Sequence, residues 1–143
     1  MGDLTNNLSR HEFACKCGCG QDTIDYALVE AIQQASDWFY DQLTLHQQVG
    51  DVDLMSITIN SGNRCLKHNI AEGGSKFSRH MDGRAADFKI KYVLFDGTKV
   101  QVSPTQVADY LDSKYISQYG VGWYNGRTHF DTASGGRRRW DKR

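Results

Sequence analysis

The sequence lacks long apolar runs, net charge and an obvious targeting segment. No apolar stretch approaches the roughly 20 residues of a membrane-spanning helix, so we expect no membrane association. Residues 1–7 have neither a basic start nor an apolar stretch, which predicts no secretory signal. There is no internal repeat and no low-complexity segment, and 143 residues are enough for one domain with one core. We therefore expect residues 1–143 to form a single domain.

The formal net charge is zero, but the charges are unevenly distributed along the chain. Residues 1–60 hold nine acidic and two basic side chains, and residues 61–143 hold eight acidic and fifteen basic ones. If this difference persists on the folded surface, the second part favours an anionic partner; alternatively, the charges even out in the fold. Residues 137–143 form a basic tail, which Trp140 could anchor. This tail alone gives little support to nucleic-acid binding, and we predict no nucleic-acid partner.

The first part of the chain is predicted to be irregular and then helical. Residues 1–22 contain glycines interleaved with cysteines, a composition that argues against a helix or a strand. Asp22 or Thr23 can then cap a long helix, with Asp25 in its first turn and its end near residues 46–50. Apolar residues recur along this helix at spacings of three and four, which predicts a buried face: Ile24, Leu28, Ile32, Ala35, Phe39 and Leu43.

Alternating patterns predict strands in the rest of the chain. Residues 54–60 and 85–92 alternate apolar and polar side chains, and Asp96-Gly97 predicts a hairpin turn into residues 99–102. Ser103-Pro104 is typical of a helix start. These elements predict an α+β fold with a small antiparallel sheet packed against helices.

Asn125-Gly126 is a strong signal for a two-residue hairpin turn. Such a turn pairs Gly122 with His129 and places His129 and Asp131 on one face of their strand. Because Gly122 has no side chain, we expect room beside His129, where a metal could lie.

Three residues predict a metal site. His80 and Asp87 are seven residues apart, and His129 lies far downstream. Two histidines and one carboxylate are sufficient protein ligands for a catalytic Zn²⁺ that keeps one position open. The alternative is that His80 lies on the surface and Asp87 is a solvated charge.

The motifs around these residues resemble those of the zinc D-Ala-D-Ala carboxypeptidases and the phage L-alanyl-D-glutamate endolysin peptidases, from about residue 8 to residue 140. The matching motifs occur in order: Ser61-Gly62-Asn63-Arg64, His68-Asn69, Gly73-Gly74, Ser78-x-His80-x-x-Gly83-x-Ala85-x-Asp87, Gly122-x-Tyr124 and His129-x-Asp131. The resemblance implies the Hedgehog/DD-peptidase fold, Zn²⁺ as cofactor, and a peptidoglycan peptide as substrate. It also implies His80, Asp87 and His129 as the metal ligands.

The resemblance also implies substrate-binding residues. Arg64 matches an arginine that binds the carboxylate of the peptide, for which the planar guanidinium is suited. The alternative for Arg64 is a structural ion pair with Asp82 or Asp87. Ser78 and Tyr124 are lesser candidates for positioning substrate, as is His68. Relatives more often carry an aromatic residue where this chain has Asn63.

The chain departs from the family pattern at the position of the general base. Several relatives have a carboxylate three residues before the second histidine, where this chain has Gly126. Asp131 is the nearest alternative, and we predict that it accepts the proton of the attacking water. Equally, Asp131 could orient His129, and His68 is then the next residue to consider.

Cys15, Cys17, Cys19 and Cys65 allow three interpretations: free thiols, disulfides or a second, structural zinc site. The Cys-x-Cys-x-Cys spacing is tighter than that of common zinc sites, and a reducing compartment of synthesis favours thiols.

The sequence thus predicts a monomeric zinc metallopeptidase that hydrolyses peptidoglycan stem peptides, at either the D-Ala-D-Ala or the L-Ala-D-Glu bond. We expect a phage or prophage lysis enzyme, made in the bacterial cytoplasm without a signal peptide and acting on the cell wall. The alternative is a binding module of the same fold that has kept its zinc and lost catalysis.

Overall fold

The structure is a computed structural model that describes residues 2–45, 51–75 and 77–143. In these residues it contains four α-helices: α1 (Arg10–Phe13), α2 (Tyr26–Leu45), α3 (Leu66–Ala71) and α4 (Pro104–Lys114). A 3-10 helix spans Arg79–Asp82. The six strands are β1 (Val52–Ser61), β2 (Ala85–Leu94), β3 (Lys99–Gln101), β4 (Gly120–Trp123), β5 (Thr128–Asp131) and β6 (Arg138–Asp141). The predicted α+β class is confirmed.

The sequence had predicted an antiparallel sheet, but the observed sheet is mixed. Its strand order is β1-β2-β5-β4-β6, with β3 paired to the second half of β2. Every pair is antiparallel except β4 and β6, which run parallel. Gly135 and Gly136 adopt positive φ angles of 109° and 89° between β5 and β6, where the chain turns toward the far edge of β4. The basic tail therefore supplies an edge strand.

The core lies between α2, α4 and one face of the sheet. The predicted apolar face of α2 is confirmed: Leu28, Ile32, Ala35 and Phe39 are buried, and Ile24 and Leu43 pack against them. The predicted alternation in the strands is also confirmed, because their apolar side chains enter this core: Met55, Ile57, Ile59, Ala86, Phe88 and Ile90. Burial of the methionine, isoleucine and phenylalanine side chains contributes on the order of 1.5–3 kcal/mol each.

The start of α2 differs from the prediction. The helix begins at Tyr26, because the residues before it make tertiary contacts. The Thr23 N–H donates to Asn63 Oδ1 at 3.1 Å, and the Asp25 N–H donates to the Gly83 carbonyl at 2.9 Å. The predicted end near residues 46–50 lies outside the described residues.

The local signals after residue 95 are confirmed. The side chain of Ser103 accepts a hydrogen bond from the Gln106 N–H and caps α4, whose first residue is Pro104. β4 and β5 form the predicted antiparallel hairpin around Asn125-Gly126. In the part of the chain that the structure describes, no helix has both the length and the apolarity needed to span a bilayer.

Candidate metal centre and cleft

The sheet register places two of the predicted metal ligands side by side. Asp87 on β2 is the direct partner of His129 on β5, and Gly122 on β4 is the partner of His129 on its other side, as predicted. Directly opposed residues in an antiparallel pair project from the same face. The polar face of β2 is thereby aligned with the polar face of β5, away from the apolar core.

His80 reaches the same place from outside the sheet. It lies in the 3-10 helix, where its backbone N–H donates to Ser78 Oγ at 3.3 Å. Its Nδ1 lies 2.8 Å from the Gly62 carbonyl, an acceptor, so Nδ1 carries the proton and Nε2 is left for a ligand. Gly62 is needed here, because a Cβ at this position would lie 2.8 Å from the Cα of Phe13.

The three ligand atoms fit a metal ion. His80 Nε2 lies 3.3 Å from Asp87 Oδ2, and His129 Nδ1 lies 2.9 Å from Asp87 Oδ1. All three residues are buried, and one ligand atom from each lies within 4.8 Å of the others. Ligand atoms bonded to zinc at about 2.1 Å in a tetrahedron are about 3.4 Å apart. Both the donor set and these separations suit a zinc-type cation.

The electrostatics of the centre favour an ionised Asp87. Burial by itself would raise the pKa of this carboxyl, but the neighbouring imidazoles of His129 and His80 outweigh burial and hold the pKa well below its usual range. Burial would lower the pKa of His129, but its bonds to Asp131 and Asp87 raise it. An ionised carboxylate is the form that binds a cation.

Asp131 lies behind His129 rather than in the open centre. Its Oδ2 is 3.1 Å from His129 Nε2, the nitrogen that faces away from Asp87. Its Oδ1 accepts hydrogen bonds from Arg138 Nη1 at 2.7 Å and from the Ala133 N–H at 3.3 Å. The Asp131 side chain is 2% exposed, so these contacts leave it little access to solvent. Its surroundings therefore resemble those of a carboxylate that orients a ligand histidine. The general-base role stays a prediction.

The space beside Gly122 is occupied by protein. A Cβ on Gly122 would lie 2.6 Å from Trp140 Nε1, so the indole ring fills the room that the sequence had suggested for a metal. The ring of Trp140 also packs against that of His129, with centroids 4.8 Å apart. Trp140 Nε1 donates to the Tyr124 hydroxyl at 2.9 Å. Tyr124 thus supports the wall of the centre through Trp140.

Arg64 borders the centre and is held by three groups. Its Nε donates to Ser61 Oγ at 3.0 Å, and its Nη1 donates to Asn69 Oδ1 at 3.1 Å. Its Nη2 lies 3.5 Å from Asp87 Oδ2, so the ion pair considered from the sequence is with Asp87. Asp82 instead pairs with Arg79 at 3.7 Å.

A cleft of about 680 Å³ opens beside Arg64 and Asp87. Among the residues that the structure describes, four cationic side chains line it, against two carboxylates: Lys16, Arg64, Lys89 and Arg127, with Asp87 and Glu72. The basic character of the second part of the chain is therefore retained in this cleft, which Lys16 from the first part also joins.

The cleft also contains a residue that the sequence analysis missed. Glu72 follows α3 and lies 3.7 Å from His68 Nε2, and both line the cleft. The spacing of four residues between them was a signal for this contact. His68 had been a candidate only by default, and the cleft now gives it a carboxylate partner.

Two comparisons with known proteins bear on this site. The model of a protein family described as Peptidase M15 matches residues 6–131, which include His80, Asp87, His129 and Arg64. A comparison with curated proteins finds no significant match.

Proposed function

Since the chain belongs to the Peptidase M15 family, whose members are metal-dependent, we propose that it is a zinc peptidase that hydrolyses peptidoglycan stem peptides. The observation that carries this proposal is the buried set of His80, Asp87 and His129 beside a cationic cleft. The family supports the metallopeptidase activity, and the resemblance of the motifs supports the finer assignment of substrate.

His80, Asp87 and His129 would hold the zinc. When bound, Zn²⁺ at such a site activates water and polarises a carbonyl as a Lewis acid. The protein prepares the ligands in advance. The Gly62 carbonyl fixes the proton of His80 on Nδ1, and Asp131 holds His129 through Nε2, so each histidine turns its other nitrogen toward Asp87.

Arg64 is suited to bind a carboxylate of the substrate. Its guanidinium lines the cleft, and its side chain is already oriented by Ser61 and Asn69, which reduces the conformational entropy lost on binding. Arg127 and Lys89 add positive charge nearby. Stem peptides carry free carboxylates, so a cationic cleft favours them over neutral peptides. Ser78 would act indirectly, by capping the turn that carries His80, and Tyr124 through Trp140.

Two groups compete for the role of proton acceptor. Asp131 remains one, although its oxygens are already engaged by His129 and Arg138. The pair of His68 and Glu72 is the other, because both side chains line the cleft where substrate would lie. An acceptor must come within hydrogen-bond reach of the proton, directly or through one water. Access therefore favours His68 and Glu72.

Mass spectrometry of muropeptides after digestion tests the function. Loss of a terminal alanine identifies cleavage at D-Ala-D-Ala, and release of a peptide that begins with glutamate identifies cleavage at L-Ala-D-Glu. The control is the Asp87→Asn variant, which should leave the muropeptides unchanged. If the wild-type, zinc-loaded protein binds walls without releasing any product, it is the binding module that the absence of a carboxylate at Gly126 suggests.

We extend the proposal to a monomeric phage or prophage lysis enzyme that acts on the wall from within the bacterial host. A fall in turbidity of purified bacterial walls, produced by the wild type and not by Asp87→Asn, would support lysis. Sedimentation of the active protein as a dimer would contradict the monomer.

A further inference from the structure

The four cysteines converge on one point, far along the chain from the histidines. The Sγ atoms of Cys15, Cys17, Cys19 and Cys65 all lie within 4.8 Å of one another. Cys17 and Cys19 are exposed, so they are not there as buried apolar side chains. All four are free thiols in this structure.

The separations of the sulfur atoms match the ligand shell of a metal. Cys15 Sγ lies 3.4 Å from Cys17 Sγ and 3.8 Å from Cys65 Sγ, and Cys17 Sγ lies 3.6 Å from Cys65 Sγ. Four sulfurs bonded to zinc at about 2.3 Å in a tetrahedron are about 3.8 Å apart. The sulfurs of Cys15, Cys17 and Cys65 are therefore at the distances expected for ligands of one ion, and Cys19 Sγ lies within 4.8 Å of them.

The loop geometry explains how so tight a spacing can converge. Gly18 and Gly20 have positive φ angles of 83° and 88°, which turn the chain between and after the cysteines. The Gly18 N–H donates to the Cys15 carbonyl at 3.2 Å, and the Cys15 N–H donates to the Gln21 carbonyl at 2.7 Å and closes the loop. Residues 15–21 thus form a compact turn with its sulfurs on one side.

Backbone N–H groups point at two of the sulfur atoms. The Cys65 N–H lies 3.4 Å from Cys15 Sγ, and the His68 N–H lies 3.4 Å from Cys65 Sγ. Such backbone donors stabilise negative charge on the ligand atoms of a metal site. Lys67 lines the same surface hollow and adds positive charge. Zinc held by four thiolates has a net charge near −2, which these groups offset.

We propose that Cys15, Cys17, Cys19 and Cys65 bind a second metal ion, a structural Zn²⁺. A set of four sulfur ligands selects zinc or another thiophilic cation and leaves no open position for a substrate. The role of the ion is to join residues 15–19 to Cys65. This proposal stands independently of the peptidase activity.

Because of the position of Cys65 in the chain, an ion bound there would also affect the cleft. Cys65 directly follows Arg64, whose backbone N–H donates to the His80 carbonyl at 2.8 Å. The side chain of Gln21 donates to the Arg64 carbonyl at 3.1 Å, and the Asn63 N–H donates to the Phe13 carbonyl at 2.7 Å. The ion would therefore fix the amino-terminal segment against the residues that carry Arg64.

Native mass spectrometry of the full chain tests the proposal, on protein purified under reducing conditions without chelator. We expect two zinc ions per wild-type chain. Cys17→Ser should retain one ion, at the histidine site, and Asp87→Asn should retain one ion, at the cysteine site. A wild type that holds no more zinc than Cys17→Ser, or a mass reduced by the hydrogens of a disulfide, would each overturn the proposal.

Cobalt substitution keeps the test decisive if Cys17→Ser does not fold. Wild-type protein loaded with Co²⁺ should show strong sulfur-to-cobalt charge-transfer absorption, and Asp87→Asn should show the same band undiminished. Alkylation with iodoacetamide should be slow in the zinc-loaded protein and rapid at the exposed Cys17 and Cys19 after chelation. Absence of the band, or equal alkylation with and without zinc, would refute the site whether or not the protein cleaves peptides.

Discussion

The two clusters of potential metal ligands are assembled in opposite ways. His80, Asp87 and His129 are all buried, and two of them are direct partners in the sheet. The cysteines lie on loops, with one buried, two exposed and one half-buried. Three of them are within five residues of each other in the sequence. Strand pairing therefore positions two of the three ligands in the first set, and a short turn positions three of the four in the second.

The two ligand sets suit two different uses of a metal, one catalytic and one structural. The histidine set has three ligands beside an open cleft, and it places nitrogen and oxygen where a fourth position can remain free. The cysteine set has four ligands and no free position. In the first, the fold prepares the site and a bound ion would supply the chemistry; in the second, a bound ion would help to hold the fold. We therefore expect that loss of the metal from one site leaves the metal at the other site in place.

The largest effect should follow from Asp87→Asn. This change keeps the shape of the side chain and removes the charge that faces both histidines, so the histidine site should lose its zinc. We expect activity to fall by about a hundred- to a thousand-fold or more, because metal catalysis supplies several kcal/mol of transition-state stabilisation. Zinc analysis and peptide release measure both effects. The cobalt–thiolate band should persist; its loss would mean that the two sites are coupled.

The next effect should come from Asp131→Asn. If Asp131 orients His129, as its contact with Nε2 suggests, zinc affinity at the histidine site should fall by about 10–100-fold. The rate at saturating zinc should then be largely intact. Measurement of rate against zinc concentration separates the roles of Asp131. A large loss of rate that excess zinc does not restore would show that Asp131 is the proton acceptor and remove His68 and Glu72 from consideration.

The parts of this arrangement that were predictable from sequence are the local ones. The Asn125-Gly126 turn fixed the register that pairs Gly122 with His129, because a two-residue hairpin loop determines its flanking pairs. Ser103-Pro104 likewise placed the start of α4. The choice of His80, Asp87 and His129 came from motif spacing and resemblance, and the structure brings the three together.

The parts that were missed depend on contacts between distant segments. The pairing of β2 with β5, which sets Asp87 against His129, joins residues 42 apart. The insertion of Trp140 over Gly122 depends on the parallel strand β6, which has no signal in the tail sequence. The start of α2 moved to Tyr26: the Thr23 N–H bonds to Asn63 and the Asp25 N–H to Gly83, so Thr23 does not cap the helix and Asp25 precedes its first turn. Local propensity carries no information on such contacts.

Arg64→Lys should reduce kcat/KM by roughly ten-fold or more while zinc content stays the same. Lysine keeps the positive charge but lacks the planar pair of donors that matches a carboxylate. Arg84→Lys is a matched control, because Arg84 is exposed and does not line the cleft. Unchanged kinetics in Arg64→Lys would assign Arg64 to its ion pair with Asp87 alone.

The smallest effect should follow from Trp140→Phe, which tests whether the wall of the histidine site is only structural. Phenylalanine keeps an aromatic ring over Gly122 and against His129 but removes the N–H that bonds the Tyr124 hydroxyl. We expect the free energy of unfolding to fall by about 1 kcal/mol, the usual contribution of one hydrogen bond. Trp38→Phe is the control, because the rings that Trp38 contacts, those of Phe39 and Tyr110, do not belong to the histidine site.

Zinc affinity decides what this result means for Trp140. If the indole only fills space, Trp140→Phe should bind zinc at the histidine site within about two-fold of wild type, since the ligands and Asp131 are untouched. A ten-fold loss of affinity would show that the bond between Trp140 and Tyr124 also holds His129 in place. Chemical denaturation and zinc titration of the same preparation distinguish a purely structural wall from one that positions the ligand.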